Sequence, residues 1–158
     1  MDGTTLVITG GTRGIGRAVA EAFAAAGARV VICGRNGPAV DETVAELNAN
    51  TGTDTDSVSG LGVDVRDEYE VERLMEHAAR NGGEIDIVIA NAAVNHGSPG
   101  AMPTHEESYS RFDDTMRTNV RGVFVTIKEA VPHLAADARV LVPSGGVARE
   151  AKAGMGVY

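Results

Sequence analysis

The chain has 158 residues, 43% hydrophobic and only 4% aromatic, and its 22 acids against 14 basic residues give a formal net charge of −8. That length fits one domain with a real core, and the acidic balance argues against nucleic acid, whose binding needs a basic face. No run of about 18 apolar residues offers a membrane span, and no export leader opens the chain, so a cytoplasmic setting without membrane partners is expected. The lone Cys33 has no internal disulfide partner and reads as a buried structural thiol. Lysine is confined to Lys128 and Lys152. A lysine-poor, acid-rich surface is tolerable where salt screens it, so a halophilic cytoplasm is expected beside the alternative of an ordinary acidic protein. His96, His105 and His133 share no ligand spacing, and no metal is expected.

In chain order, Leu6-Val7-Ile8 reads as a strand running into the turn Thr9-Gly10-Gly11-Thr12-Arg13-Gly14-Ile15-Gly16. A helical pattern follows, with Ile15, Val19 and Phe23 recurring every four residues. Strand, glycine turn and helix N-terminus together make an anion site, because free N–H groups and the positive end of the helix dipole attract phosphate. Gly10 is expected to permit the tight turn, Gly14 to let backbone approach the phosphates, and Gly16 to let the helix pack close to the sheet. Arg29–Cys33 reads as a second, fully buried strand introduced by a helix cap at Gly27. An NAD site usually places an acid about 20 residues beyond the glycines. Here the strand ends in Gly34-Arg35-Asn36. Arg35, with Arg13 from the other side, suits a ribose 2′-phosphate, which favours NADP over NAD; the plainer alternative is two solvated arginines.

Pro38 is expected to open a helix with Val40, Val44 and Leu47 on one face, and Thr53 to Asp56 to lie in a solvated loop rather than a metal site. Val58 to Val65 reads as a third strand ending in Asp64-Val65-Arg66-Asp67. A helix follows with Val71, Leu74, Met75 and Ala78 inside and Glu68, Glu70, Glu72 and Glu76 on its surface. Ile85 to Ala90 forms a fourth strand leading to Asn91-Ala92-Ala93, and His96 beyond it is expected to face solvent. Thr104 and Glu107 read as a capping box opening a long helical region. Its stripe of Phe112, Met116, Val120 and Phe124 is expected to be core. Asn119, polar and unsuited to a helix interior, is a functional suspect. Arg139 to Val142 forms a fifth strand, broken at Pro143, that leads to Ser144.

Five strands alternating with helices imply an α/β fold: a doubly wound, open parallel sheet of Rossmann type in a single domain over residues 1–158. Its ligand crevice should lie at the strand ends carrying Gly10, Arg35, Asp64, Asn91 and Ser144.

These residues resemble the short-chain dehydrogenase/reductase family over essentially the whole chain. Thr9-Gly10-x-x-x-Gly14-x-Gly16 is similar to that family's nucleotide turn, which makes Gly10, Thr12, Arg13, Gly14, Ile15 and Gly16 cofactor-binding candidates. Asp64-Val65 resembles its adenine-contacting pair. Ala90-Asn91-Ala92-Ala93 resembles its Asn-Asn-Ala-Gly segment, with Ala at the first and last places. Asn119, Ser144 and Tyr158 fall at the family's catalytic Asn, Ser and Tyr. The resemblance implies hydride transfer between NADP(H) and a carbonyl or alcohol substrate. Tyr158 would exchange the proton, Ser144 would hold the substrate oxygen, and Asn119 would order a water. It also implies a homo-oligomer for a full-length form. The family's lysine four residues after the tyrosine has no counterpart before the sequence ends. Little or no turnover is therefore expected if the chain stops there. A non-catalytic dinucleotide-binding module and an inert fragment with an apolar sheet edge are the competing readings.

Overall fold

The structure, a computed structural model, describes residues 1–51, 57–96 and 103–150. Thr53 to Asp56, Lys152 and Tyr158 lie outside those residues. The strands are β1 (Thr5–Thr9), β2 (Arg29–Gly34), β3 (Val58–Gly62), β4 (Ile85–Ile89) and β5 (Leu134–Leu141). The helices are α1 (Gly14–Ala25), α2 (Gly37–Thr51), α3 (Glu68–Gly82), α4 (Tyr109–Met116) and α5 (Gly122–Ala130).

The strands form one parallel sheet in the order β3-β2-β1-β4-β5. Strand alternation divides the core into two halves. Leu6, Ile8, Val30 and Ile32 face α1 and α2, where they pack with Ala20, Ala24, Val40 and Leu47. Val7, Val31, Cys33 and Val88 face the other side, against Val71, Leu74, Met75, Ala78 and Val125. Both faces of β1 and β2 are therefore covered, which is why they read as continuous apolar runs. β3 is shorter than the expected Val58 to Val65, ending at Gly62. Gly60 belongs in it because a Cβ there would lie 2.7 Å from Val40 Cγ1, so its absence lets α2 settle on the sheet.

Three sequence expectations fail for steric or capping reasons. The stripe Phe112, Met116, Val120 and Phe124 is 38–64% exposed, not core. The buried face of the α4–α5 region is instead Thr115, Thr118, Gly122, Val125, Thr126 and Ala130. At Gly122 this region lies too close to its neighbour for a side chain: a Cβ there would sit 2.8 Å from Val65 Cγ2. In α1, Gly16, Ala20 and Ala24 are buried, Val19 and Phe23 pack half-buried against the core, and Ile15 is 70% exposed. No capping box forms at Thr104, where a short 3-10 turn ends at Glu106. The α4 cap is Ser108, whose hydroxyl accepts from the Arg111 N–H. β5 begins earlier than expected, at Leu134, and Val140 and Leu141 on this edge strand are 37% and 47% exposed.

Leu74 is fully buried at the centre of one core half. Leu74→Ala should cost about 2–5 kcal/mol in urea unfolding; a loss below about 1 kcal/mol would contradict the assignment of that half.

Candidate functional site

The chain reverses between β1 and α1 through two glycines in the left-handed region, Gly10 (φ +70°) and Gly14 (φ +57°). Gly16 is fixed by space: a Cβ on it would lie 2.2 Å from the Gly10 carbonyl oxygen and 2.6 Å from Asn91 Nδ2. A Cβ on Gly14 would meet nothing within 4 Å, because that residue faces open space at the start of α1. Gly10 thus stands where the turn needs a positive φ and Gly16 where α1 meets the sheet, while Gly14 leaves open space at the start of α1.

Asn91 ties this turn to the end of β4. Its Nδ2 donates to the carbonyls of Thr9 (3.0 Å) and Gly10 (3.3 Å). The N–H groups of Asn91 and Ala92 both donate to Thr9 Oγ1 at 3.0 Å. Strands β1 and β4 are neighbours from which the chain winds in opposite directions, so a crevice opens between their carboxyl ends. A cavity of about 380 Å³ occupies it. It is lined by Gly10, Thr12, Arg13, Gly14, Ile15, Arg35, Asp64, Val65, Asn91, Ala92 and Ala93, so every cofactor-binding candidate except Gly16 borders one space. Cys33, Gly34, Val63, Val94 and Thr118 border it too. Burial pushes the Cys33 thiol up to about 12, against a smaller opposing pull from the Gly10 backbone, which keeps it a neutral wall.

A second cavity, of about 220 Å³, adjoins residues 90–93 and is lined by Asn119, Ser144 and Pro143 among others. The structure therefore brings Asn119 and Ser144 to one space, while Tyr158 lies outside the described residues. Asn119 sits in a π-helical turn, Arg117–Arg121, between α4 and α5, a distortion that often marks functional positions. Its Oδ1 accepts from the Val94 N–H (2.8 Å) and its Nδ2 donates to the Val94 carbonyl (2.9 Å). A third cleft, of about 610 Å³, contains Arg13, Arg17 and Arg35. Arg17 pairs there with Glu46 at 2.6 Å. Among the described residues, neither Arg13 nor Arg35 forms an ion pair.

Sequence reasoning missed two residues. Thr9 is 1% exposed, and its hydroxyl accepts both N–H groups at the start of the β4 exit; a threonine ending an apolar strand just before the glycine turn was the available signal. Thr118 is 5% exposed, and its Oγ1 lacks a partner among the described residues although the residue borders the first cavity. A buried hydroxyl left unsatisfied is costly, so it suits a site completed by a polar ligand. The residues present therefore fit a dinucleotide: a helix N-terminus with open glycine backbone, two unpaired guanidiniums and an unpaired hydroxyl.

Charged groups brace the rim. Arg66 binds the Asp64 carboxylate through Nε (2.9 Å to each oxygen) and reaches Asp114 at 2.5 Å. His96, expected to face solvent, instead meets Asp114 through Nε2 at 2.7 Å. Glu70, expected to be plain surface, accepts the Asp64 N–H at 2.6 Å. The Arg66 hydrogen bond holds Asp64 below the usual carboxylate range. The His96 bond first, then the Arg66 charge, does the same for Asp114. Carboxylates lowered on folding contribute stability that is complete above their unfolded values, near pH 4, and is lost as pH falls through the folded values. Arg66→Gln should therefore cost about 1–2 kcal/mol at pH 7 after allowance for solvent screening. That deficit should shrink below about pH 4; an equal deficit at pH 7 and pH 3 would show that the ion pairs carry none of it.

Comparison with known proteins agrees with this geometry. The family model described as short chain dehydrogenase matches residues 4–158. Versicolorin reductase stcU of Emericella nidulans is 34% identical over 148 residues, covering 94% of this chain and 53% of the relative. Tropinone reductase-like 3 of Erythroxylum coca is 31% identical, covering 99% and 58%. The chain thus spans little more than half the length of these curated relatives. Among solved structures, a short-chain dehydrogenase/reductase from Brucella melitensis, described as glucose/ribitol dehydrogenase, superposes with a TM-score of 0.90 at 27% identity, covering 100% of this chain and 63% of that one. A short chain dehydrogenase from Burkholderia cenocepacia J2315 in complex with NADP superposes at 0.86 with 28% identity, covering 99% and 62%. With a parallel Rossmann-type sheet, a glycine turn at the strand ends and a family match over nearly its whole length, the chain belongs to the short-chain dehydrogenase/reductase family.

Proposed function

We propose that this chain forms the cofactor-binding part, with some of the catalytic residues, of an NADP(H)-dependent oxidoreductase acting on a small carbonyl or alcohol substrate. The observation that carries this reading is the convergence of Gly10, Arg13, Gly14, Arg35, Asp64 and Asn91 on one cavity at the reversal of strand order. The start of α1 would take the pyrophosphate, Asp64 and Val65 the adenine end, and residues 91–93 the floor beneath the nicotinamide. NADP over NAD is supported by Arg35 at the end of β2, where an acid would serve NAD, and by the guanidiniums of Arg13 and Arg35, which share one cleft and form no ion pair among the described residues. The Burkholderia relative was solved in complex with NADP.

When bound, the nicotinamide supplies or accepts hydride. The chain's own residues would orient the partner and move the proton. Ser144 would donate a hydrogen bond to the substrate oxygen, Tyr158 would exchange the proton with that oxygen, and Asn119, beside the smaller cavity, would fix residue 94 and help order a water. A free tyrosine loses its proton near pH 10, so Tyr158 needs neighbouring positive charge to act as a base at neutral pH. A cytoplasmic setting is part of the proposal, and no described helix is long and apolar enough to cross a membrane. A homo-oligomer is supported by the exposed stripe Phe112, Met116, Val120 and Phe124, which would lose water on association.

Arg35→Glu should weaken NADPH binding by about 10- to 100-fold, measured by nucleotide fluorescence, while changing NADH binding by less than about threefold. Equal losses for both cofactors would remove the 2′-phosphate reading. In sedimentation, Phe124→Lys should shift the protein toward monomer. An unchanged oligomer, or a wild type that is already monomeric, would contradict the stripe's part in assembly.

A further inference from the structure

The cavity's two side walls come from the ends of strands that are not neighbours in the sheet. One is residues 63–65 after β3, the other residues 91–94 after β4, and the order β3-β2-β1-β4 places two strands between them. Pairing within the sheet therefore does not set their separation at the mouth. Asp114, on α4, reaches both. Its Oδ1 accepts from Arg66, whose guanidinium also grips Asp64 on the first wall. Its Oδ2 meets Nε2 of His96, two residues beyond the second wall. The same helix takes hold of that segment again, because Arg111 donates to the His96 carbonyl and pairs with Glu107 at 3.6 Å.

We propose that Asp114 is a positioning residue for the dinucleotide crevice, tying the Asp64–Arg66 wall to the His96 wall so that the opening is set before the ligand enters. The inference rests on the reading that this crevice binds a dinucleotide. A site held open at the right width loses less freedom on binding, and the gain appears as affinity. Behind Asp114 and His96 the tie is continued by Arg66 with Asp64 on one side and by Arg111 with Glu107 along α4 on the other.

The test is NADPH affinity by fluorescence for the wild type, Asp114→Asn and His96→Gln, together with melting temperatures of the nucleotide-free proteins. Asp114→Asn keeps the side chain's shape but lacks the second carboxylate oxygen, and should weaken NADPH about tenfold; His96→Gln, which changes only one of the two partners, should weaken it less. An unchanged affinity in Asp114→Asn, or an affinity loss that merely tracks the melting temperature, would overturn the role. Amide exchange of the nucleotide-free protein separates this inference from its parent. If the wild type binds no NADPH, the dinucleotide reading fails. The tie itself then stands if Asp114→Asn speeds exchange in residues 63–66 and 91–96 together, and falls if only one segment responds.

Discussion

The contact on which the rest depends is the meeting of Gly16, Gly10 and Asn91 where β1 and β4 end. Any side chain at position 16 would drive into the Gly10 carbonyl, and the Asn91 amide already occupies the space beside it. Because nothing larger than hydrogen fits, α1 starts tight against the sheet, and its first residues, Gly14 and Ile15, border the crevice. Thr9 completes the joint by accepting the next two N–H groups of the β4 exit. Backbone groups that would otherwise be left unpaired in a buried corner are satisfied there by two side chains.

Much of this was legible in the chain. The glycine spacing after an apolar strand located the turn, and the apolar runs of β1 and β2 announced strands covered on both faces. Each candidate at a strand end lies at one edge because parallel strands place all their carboxyl ends on the same side. Arg35 was readable as a residue at the end of β2, and it borders the first cavity. Asn119 stood out as a residue that helix propensity disfavours, and it proved to sit in a π-helical turn with both amide groups committed to Val94.

What was not legible has a common physical cause. In α4–α5, large apolar residues at helical spacing suggested a buried stripe, yet the buried residues are Thr115, Thr118, Gly122, Val125, Thr126 and Ala130, mostly small. Close helix approach selects small residues, and hydrophobicity alone does not reveal it. Thr115 and Thr126 can be buried because their hydroxyls bond the preceding turn, at 2.8 and 2.7 Å. Side-chain ties between distant segments were equally hidden. No local pattern links Arg66, Asp114 and His96, because that network exists only once β3 and the α4 region have folded against each other.

The central claim is that the crevice between the carboxyl ends of β1 and β4 holds the dinucleotide, and its most direct test is an NMR amide map of the protein titrated with NADP+. The account predicts the largest shifts at residues 10–16, 35, 64–65 and 91–94, with the outer faces of α2 and α3 unmoved. Shifts centred elsewhere, or none at saturating nucleotide, would contradict it.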